Sequence, residues 1–152
     1  MIFSSNDIGD IGETTFDLVM TRANLFRTCM LGAKWPIVDF YIELKQSPGM
    51  FFFVQVKSSQ DSFSSVNKIN VSFSNSELVK LSQYLAPTFL AAVDITNERV
   101  FLKPVFAGKS MDESVAFELN AENIHLVCEN VKTFWERSGI ESYKSNYQHL
   151  IS

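Results

Sequence analysis

The chain has 152 residues, one domain's worth of sequence, and its 46% hydrophobic against 20% charged content excludes a disordered chain. No apolar run approaches the ~20 residues of a membrane span. The net charge of −4 speaks against a broad, nonspecific grip on duplex DNA, which needs clustered Lys and Arg.

The N-terminal residues Met1-Ile2-Phe3-Ser4-Ser5-Asn6-Asp7 contain no basic region followed by an apolar run, so the expected location is cytoplasmic. Residues 7–24 read as a helix and 25–31 as a strand. Residues 37–45 and 50–58 read as two strands joined by Gln46-Ser47-Pro48-Gly49, residue types that favour a tight turn. The Ser-rich stretch 58–65 reads as a loop, and Asn67–Phe73 as a further strand. Ser74-Asn75-Ser76-Glu77 offers helix caps ahead of Leu78, Leu81 and Leu85, and Pro87 ends that helix. Residues 89–95 form an almost unbroken apolar run, as expected of a strand buried on both faces. A turn at Thr96-Asn97-Glu98 leads into a strand over 100–106. Asn120 caps a long helix whose apolar stripe is Ile124, Val127, Cys128, Val131, Phe134 and Trp135. The order α-β-β-β-β-α-β-β-α predicts an α/β sandwich in which residues 67–95 form a parallel crossover. Cys29 and Cys128 lie in no CxxC pair and no zinc-spaced cluster, so both are expected to be buried and reduced.

Strand parity carries the functional signal. Side chains alternate between faces along a strand. Val38, Phe40, Ile42 and Leu44 are all apolar, as are Met50, Phe52, Val54 and Val56, so the even faces of both strands are expected on one core. The odd faces carry Asp39, Tyr41, Glu43 and Lys45 on one strand and Phe51, Phe53, Gln55 and Lys57 on the other. Superposing the even faces allows registers that set Asp39 opposite residue 55 or residue 57. Either register gathers a carboxylate, an amide oxygen and an ammonium at one end of the sheet, with the end near Phe51 and Phe53 expected to be packed. Glu13 shares a helix face with Phe16, Met20 and Ala23, which leans it toward the sheet, and Gly12 beside it permits close backbone approach.

Gly12-Glu13 on a leading helix, Val38-Asp39 opening a strand and Gln55-Val56-Lys57-Ser58 on the next resemble the PD-(D/E)XK nuclease superfamily. The Gln-x-Lys variant is similar to the Mrr-type branch and to bacterial nuclease-like domains with a Gly-Glu … Asp … Gln-Val-Lys-Ser layout. The resemblance covers about residues 7–106, and Val38 stands where the superfamily's name has proline. It implies a restriction-endonuclease-like α-β-β-β-α-β sandwich with a mixed central sheet and an added C-terminal helix. The whole chain, 1–152, would then be one domain, with a core over about 7–106 and a helical extension over about 120–152.

By the same resemblance, Asp39, Glu13, Gln55 and the Val56 carbonyl are expected to hold Mg²⁺ or Mn²⁺, and Lys57 to stabilise charge on the phosphate or position the attacking water. A neutral Gln leaves one less negative charge than the usual acid, so weaker metal affinity is expected. A bound divalent metal would supply the positive charge that the acidic chain lacks. The implied function is a metal-dependent DNA endonuclease, an Mg-dependent phosphodiesterase of a restriction or phage-defence kind. The alternative is a nuclease-fold adaptor or nucleic-acid-binding subunit that no longer cuts. DNA, a second copy of the chain or a partner ATPase are the expected partners, and no membrane.

Each residue also has a plainer reading. Asp10-x-x-Glu13 fits a capping box. Asp39 and Lys57 fit a cross-strand ion pair. Glu43 fits a solvated strand position or an auxiliary ligand. His125 with Glu129 fits a helix-surface pair, and His149 lies near the end of the sequence. From Ala107 onward seven acids stand against four bases, a stretch expected to face solvent or a partner rather than DNA.

Overall fold

A computed structural model of the chain describes residues 3–60, 74–105 and 116–138. Its elements are α1 (Ser5–Arg22), β1 (Phe26–Met30), β2 (Phe40–Leu44), β3 (Phe51–Ser59), α2 (Asn75–Ser82), β4 (Thr88–Asp94), β5 (Arg99–Pro104), β6 (Phe117–Glu118) and α3 (Asn123–Arg137). The strand expected over 67–73 and most of the Ser-rich loop lie outside the described residues.

The six strands form one mixed sheet in chain order. Every pairing is antiparallel except β3 with β4, which run parallel from Phe53 opposite Thr88 to Ser59 opposite Asp94. A parallel pair needs a crossover, and α2 lies on it as the sequence predicts. β4 is buried at all seven positions, which explains its uninterrupted apolar composition.

Two cores flank the sheet. On the even face, Phe16 and Met20 of α1 and Ile124, Val127 and Val131 of α3 pack on Phe40, Ile42, Phe52 and Val54. On the other face a smaller cluster joins Leu81 of α2 to Val38, Leu90 and Val105. Val38 thus departs from the face expected of it. Ile37 adopts φ 69°, which breaks the alternation just before β2 begins at Phe40. Cys29 is also corrected: it is exposed, because β1 is an edge strand whose odd face points outward opposite Tyr41. Cys128 is half-buried, and burial raises its thiol pKa.

The helix ends follow local chemistry. α1 is capped by Ser4, whose hydroxyl accepts from the Asp7 amide while the Asp7 carboxylate accepts from the Ser4 amide. That places the capping box a turn and a half before the Asp10–Glu13 pair and frees Glu13 for another role. Asn120 accepts from the amides of Glu122 and Asn123, as expected of a cap for α3.

Gly12 is where α1 meets β3. A Cβ there would overlap the Ser58 side chain and lie 3.7 Å from its Cα. Alanine is the better helix former by about 1 kcal/mol. Even so, Gly12→Ala should lower stability by about 1–3 kcal/mol through overpacking, and Ser58→Gly should recover much of the loss. Urea denaturation of the single and double variants checks this.

Candidate active site

The β2–β3 hairpin pairs from Glu43 opposite Phe51 to Phe40 opposite Val54. Carried one step further this register, one of the two that parity allows, would set residue 39 opposite 55, but the ladder stops at Phe40 and the Asp39 amide bonds to the Val54 carbonyl instead. β2 begins only at Phe40, while β3 continues to Ser59, and among the described residues β4 alone pairs with it there. The hairpin therefore opens into a notch along the β2 side of residues 55–59.

Asp39 sits at the mouth of that notch with its backbone fixed on both sides. Its amide donates to Val54 at 2.9 Å and its carbonyl accepts from Leu31 at 2.8 Å. Its carboxylate then takes the place of a strand: Oδ2 accepts from the Val56 amide at 2.7 Å. A strand residue turns its N–H and C=O to the same side, so the Val56 carbonyl also points into the notch. Burial raises the Asp39 pKa, against the lowering effects of the Val56 hydrogen bond and the Lys57 charge.

Gln55 is 8% exposed, and its Oε1 is buried without a hydrogen-bond partner. A buried amide oxygen in that state costs free energy, on the order of 1–3 kcal/mol. The buried carboxylate of Asp94, by contrast, has its needs met: it accepts from the Thr96 and Asn97 amides and from Asn97 Nδ2, closing the β4–β5 turn. Glu77 Oε2 is likewise buried without a hydrogen bond but has the Lys57 ammonium as its ion-pair partner, which Gln55 Oε1 lacks.

Glu13 is half-buried on the face of α1 that meets β3. Its pKa is raised first by burial, then by the negative charges of Asp39 and Asp10. Two carboxylates that each resist ionisation, one repelled by the other, create a local demand for positive charge.

Lys57 meets part of that demand, but not through the cross-strand pair with Asp39. Its Nζ pairs with Glu77 of α2 at 3.1 Å. The sequence shows Glu77 only as part of a helix cap, and its amide does donate to Ser74 Oγ. The carboxylate, however, turns to Lys57. Composition could not reveal this, because it depends on how the crossover lays α2 against β3.

Glu13 and Asp39 thus act on each other through their charges, the Val56 amide holds Asp39, and Lys57 stands two residues from Gln55 with Glu77 as its ion-pair partner. Among the described residues no three His, Cys, Asp or Glu side chains gather closely enough to hold an ion by themselves. The donor set of Asp39, Gln55, Glu13 and the Val56 carbonyl mixes charged and neutral oxygens, and hard cations such as Mg²⁺ accept that mixture. The unsatisfied Gln55 Oε1 and the raised carboxylate pKa values both fit such an ion. His125 is exposed on α3, away from this notch, beside Cys128, Glu129 and Lys132. Glu43 accepts from the Tyr41 hydroxyl at 3.0 Å. His149 lies outside the described residues. No family model matches the chain, and no curated protein or solved structure does.

Proposed function

We propose that the notch is the active site of a metal-dependent phosphodiesterase, a DNA endonuclease with a restriction-endonuclease-like arrangement of α1, β2 and β3. The observation that carries this reading is the buried, unpartnered Oε1 of Gln55 on the same strand whose Val56 amide holds the Asp39 carboxylate. A purely structural site would have given that oxygen a hydrogen bond. A divalent ion, when bound, supplies an activated water and neutralises charge on the phosphate.

The chain's own groups divide the remaining work. Asp39 is preorganised, because the Val56 amide fixes one of its oxygens and leaves the other facing the notch. Gln55 contributes an oxygen already stripped of water. Lys57, held at the rim by Glu77, is positioned to stabilise negative charge on a phosphate oxygen. Gly12 lets α1 approach β3 closely enough to bring Glu13 to the same place.

The Lys57–Glu77 pair gives the non-cutting adaptor its one point in favour, since a lysine committed to a neighbour is not free for a phosphate. Purified protein separates the two readings. The enzyme should nick or cut DNA with Mg²⁺ or Mn²⁺ and stop on addition of EDTA. Absence of metal-stimulated cleavage on single-stranded, duplex and branched DNA would leave the adaptor.

A further inference from the structure

The odd face of the β2–β3 hairpin packs only in part: Phe53 and Tyr84 lie against the α2-side cluster, and Trp35 stays exposed. Phe51, Tyr41 and Phe53 form one ring cluster, with centroids 5.0 Å apart for Tyr41–Phe51, 5.5 Å for Phe51–Phe53 and 6.1 Å for Tyr41–Phe53. Trp135 extends it past Phe51 at 4.7 Å. Tyr84 and Trp35 extend it past Phe53 at 4.9 and 6.4 Å. None of these six rings is fully buried, and Trp35 is 49% exposed. α2 covers the β3–β4 side of this face, where Leu81 joins Leu90, Val105 and Val38 and the cluster takes in one side of Phe53. Toward β1 the described residues of this face, Arg27 and Cys29, are exposed.

We propose that this face is a stacking platform for unpaired bases and that the substrate is single-stranded nucleic acid. The proposal rests on reading the notch as a phosphodiesterase site, because the platform runs straight into it. Phe53 precedes Gln55 by two residues on the same strand face, and Tyr41 follows Asp39 by two, a distance of about 7 Å in each case. A strand stacked on these rings would carry its next phosphate to the notch.

Stacking also resolves the charge problem. Duplex bases are already stacked on one another and offer a protein mainly phosphates, which a chain of net charge −4 attracts poorly. Unpaired bases bind aromatic faces without requiring a large positive field. The cations near the platform suffice for a few phosphates: Arg27 lies on its β1 edge, Lys34 adjoins Trp35 in sequence, and Lys80 lines a 360 Å³ cleft with Tyr84 and Pro36. Two rings are held in place by their hydroxyls, Tyr41 donating to Glu43 and Tyr84 donating to the Pro36 carbonyl. Such fixed rings lose little entropy when a base lands on them.

Fluorescence anisotropy in EDTA tests binding apart from cleavage, using labelled oligo-dT and oligo-U of about 12 nucleotides and a duplex of the same length. The single strands should bind more tightly than the duplex. Comparing oligo-dT with oligo-U tells whether the natural ligand is DNA or RNA. Trp35→Ala should weaken single-strand binding by about 5- to 100-fold, and Trp35→Phe should restore most of it. Trp35 is exposed, so its loss should leave the fold intact, which circular dichroism verifies. Equal binding of duplex and single strand, or no effect of Trp35→Ala, overturns the proposal. So does sedimentation showing a dimer that Trp35→Ala dissolves and single strands do not disturb, since the face would then be a self-interface. Metal-dependent cutting of duplex, unaffected by Trp35→Ala, would overturn the platform and leave the nuclease. Trp35-dependent single-strand binding without any cleavage would keep the platform and remove the nuclease.

Discussion

Asp39→Asn should abolish metal-stimulated cleavage and, at neutral pH, make the protein more stable than wild type. The two effects share one cause. Burial raises the Asp39 pKa above its ordinary 3.8, so the ionised carboxylate destabilises the folded chain relative to the unfolded one. A raised acid pKa means that the folded state binds more protons than the unfolded state in the window just above 3.8, so stability falls as pH rises through that window. The loss persists at neutral pH. Asparagine carries no charge and keeps an oxygen for the Val56 amide, so it escapes the penalty. The advantage of Asn over Asp should therefore be full at pH 7 and vanish below about pH 3.8, where wild type is also neutral. Asp39→Ala should behave oppositely, losing about 1–3 kcal/mol because the Val56 amide is left without its acceptor. Thermal melts of the three proteins across pH check all of this without an activity assay. Mn²⁺ should raise the melting temperature of wild type and leave that of Asp39→Asn unmoved, as expected for a ligand that binds the folded state through this carboxylate. If Asp39→Asn is less stable than wild type at every pH, the carboxylate is structural and the site reading falls.

What the sequence made legible follows from which interactions are local. The hairpin was readable because apolar alternation on both strands permits few registers, and the observed ladder, from Glu43 opposite Phe51 to Phe40 opposite Val54, follows one of them before the alternation breaks at Asp39. The α2 crossover was readable from its Ser74 cap and β4 from its unbroken apolar run, but α2 ends at Ser82 rather than near Pro87, which leaves Leu85 outside the helix and exposed. Val38 was misplaced because the left-handed backbone at Ile37 leaves no mark in a pattern of apolar residues. Cys29 was misplaced because a strand's position at the sheet edge is decided by topology, not by its own composition. The same holds for Glu77 and the aromatic face. Both arise where α2 or the segment before β2 returns to β3, and no spacing rule anticipates a contact between residues 57 and 77 or 35 and 53. The carboxylate, amide and ammonium of the notch were legible from parity; the partner that holds the ammonium was not.

That partner supplies the second large expected effect. Lys57→Ala should lower metal-dependent cleavage by about 10²–10³, the usual cost of removing one preorganised charge stabiliser. Stability should change by less than about 1 kcal/mol, since the Lys57–Glu77 pair is partly open to solvent, with side chains 28% and 31% exposed. Glu77→Gln separates the roles of the pair. If Glu77 merely anchors the lysine, the amide still reaches Nζ, and cleavage should stay within about tenfold of wild type. The lysine is then a stabiliser that changes partners, leaving Glu77 for the phosphate when substrate arrives. A purely structural ion pair predicts something else: Lys57→Ala and Glu77→Gln would cost the same small amount of stability and affect cleavage equally. Single-turnover rates with saturating substrate make the comparison, because they read the chemical step rather than binding. A drop confined to Lys57→Ala places the ammonium at the reacting phosphate. Matching drops in both variants assign the pair to holding α2 against the sheet, and the charge stabiliser must then be sought elsewhere on the notch.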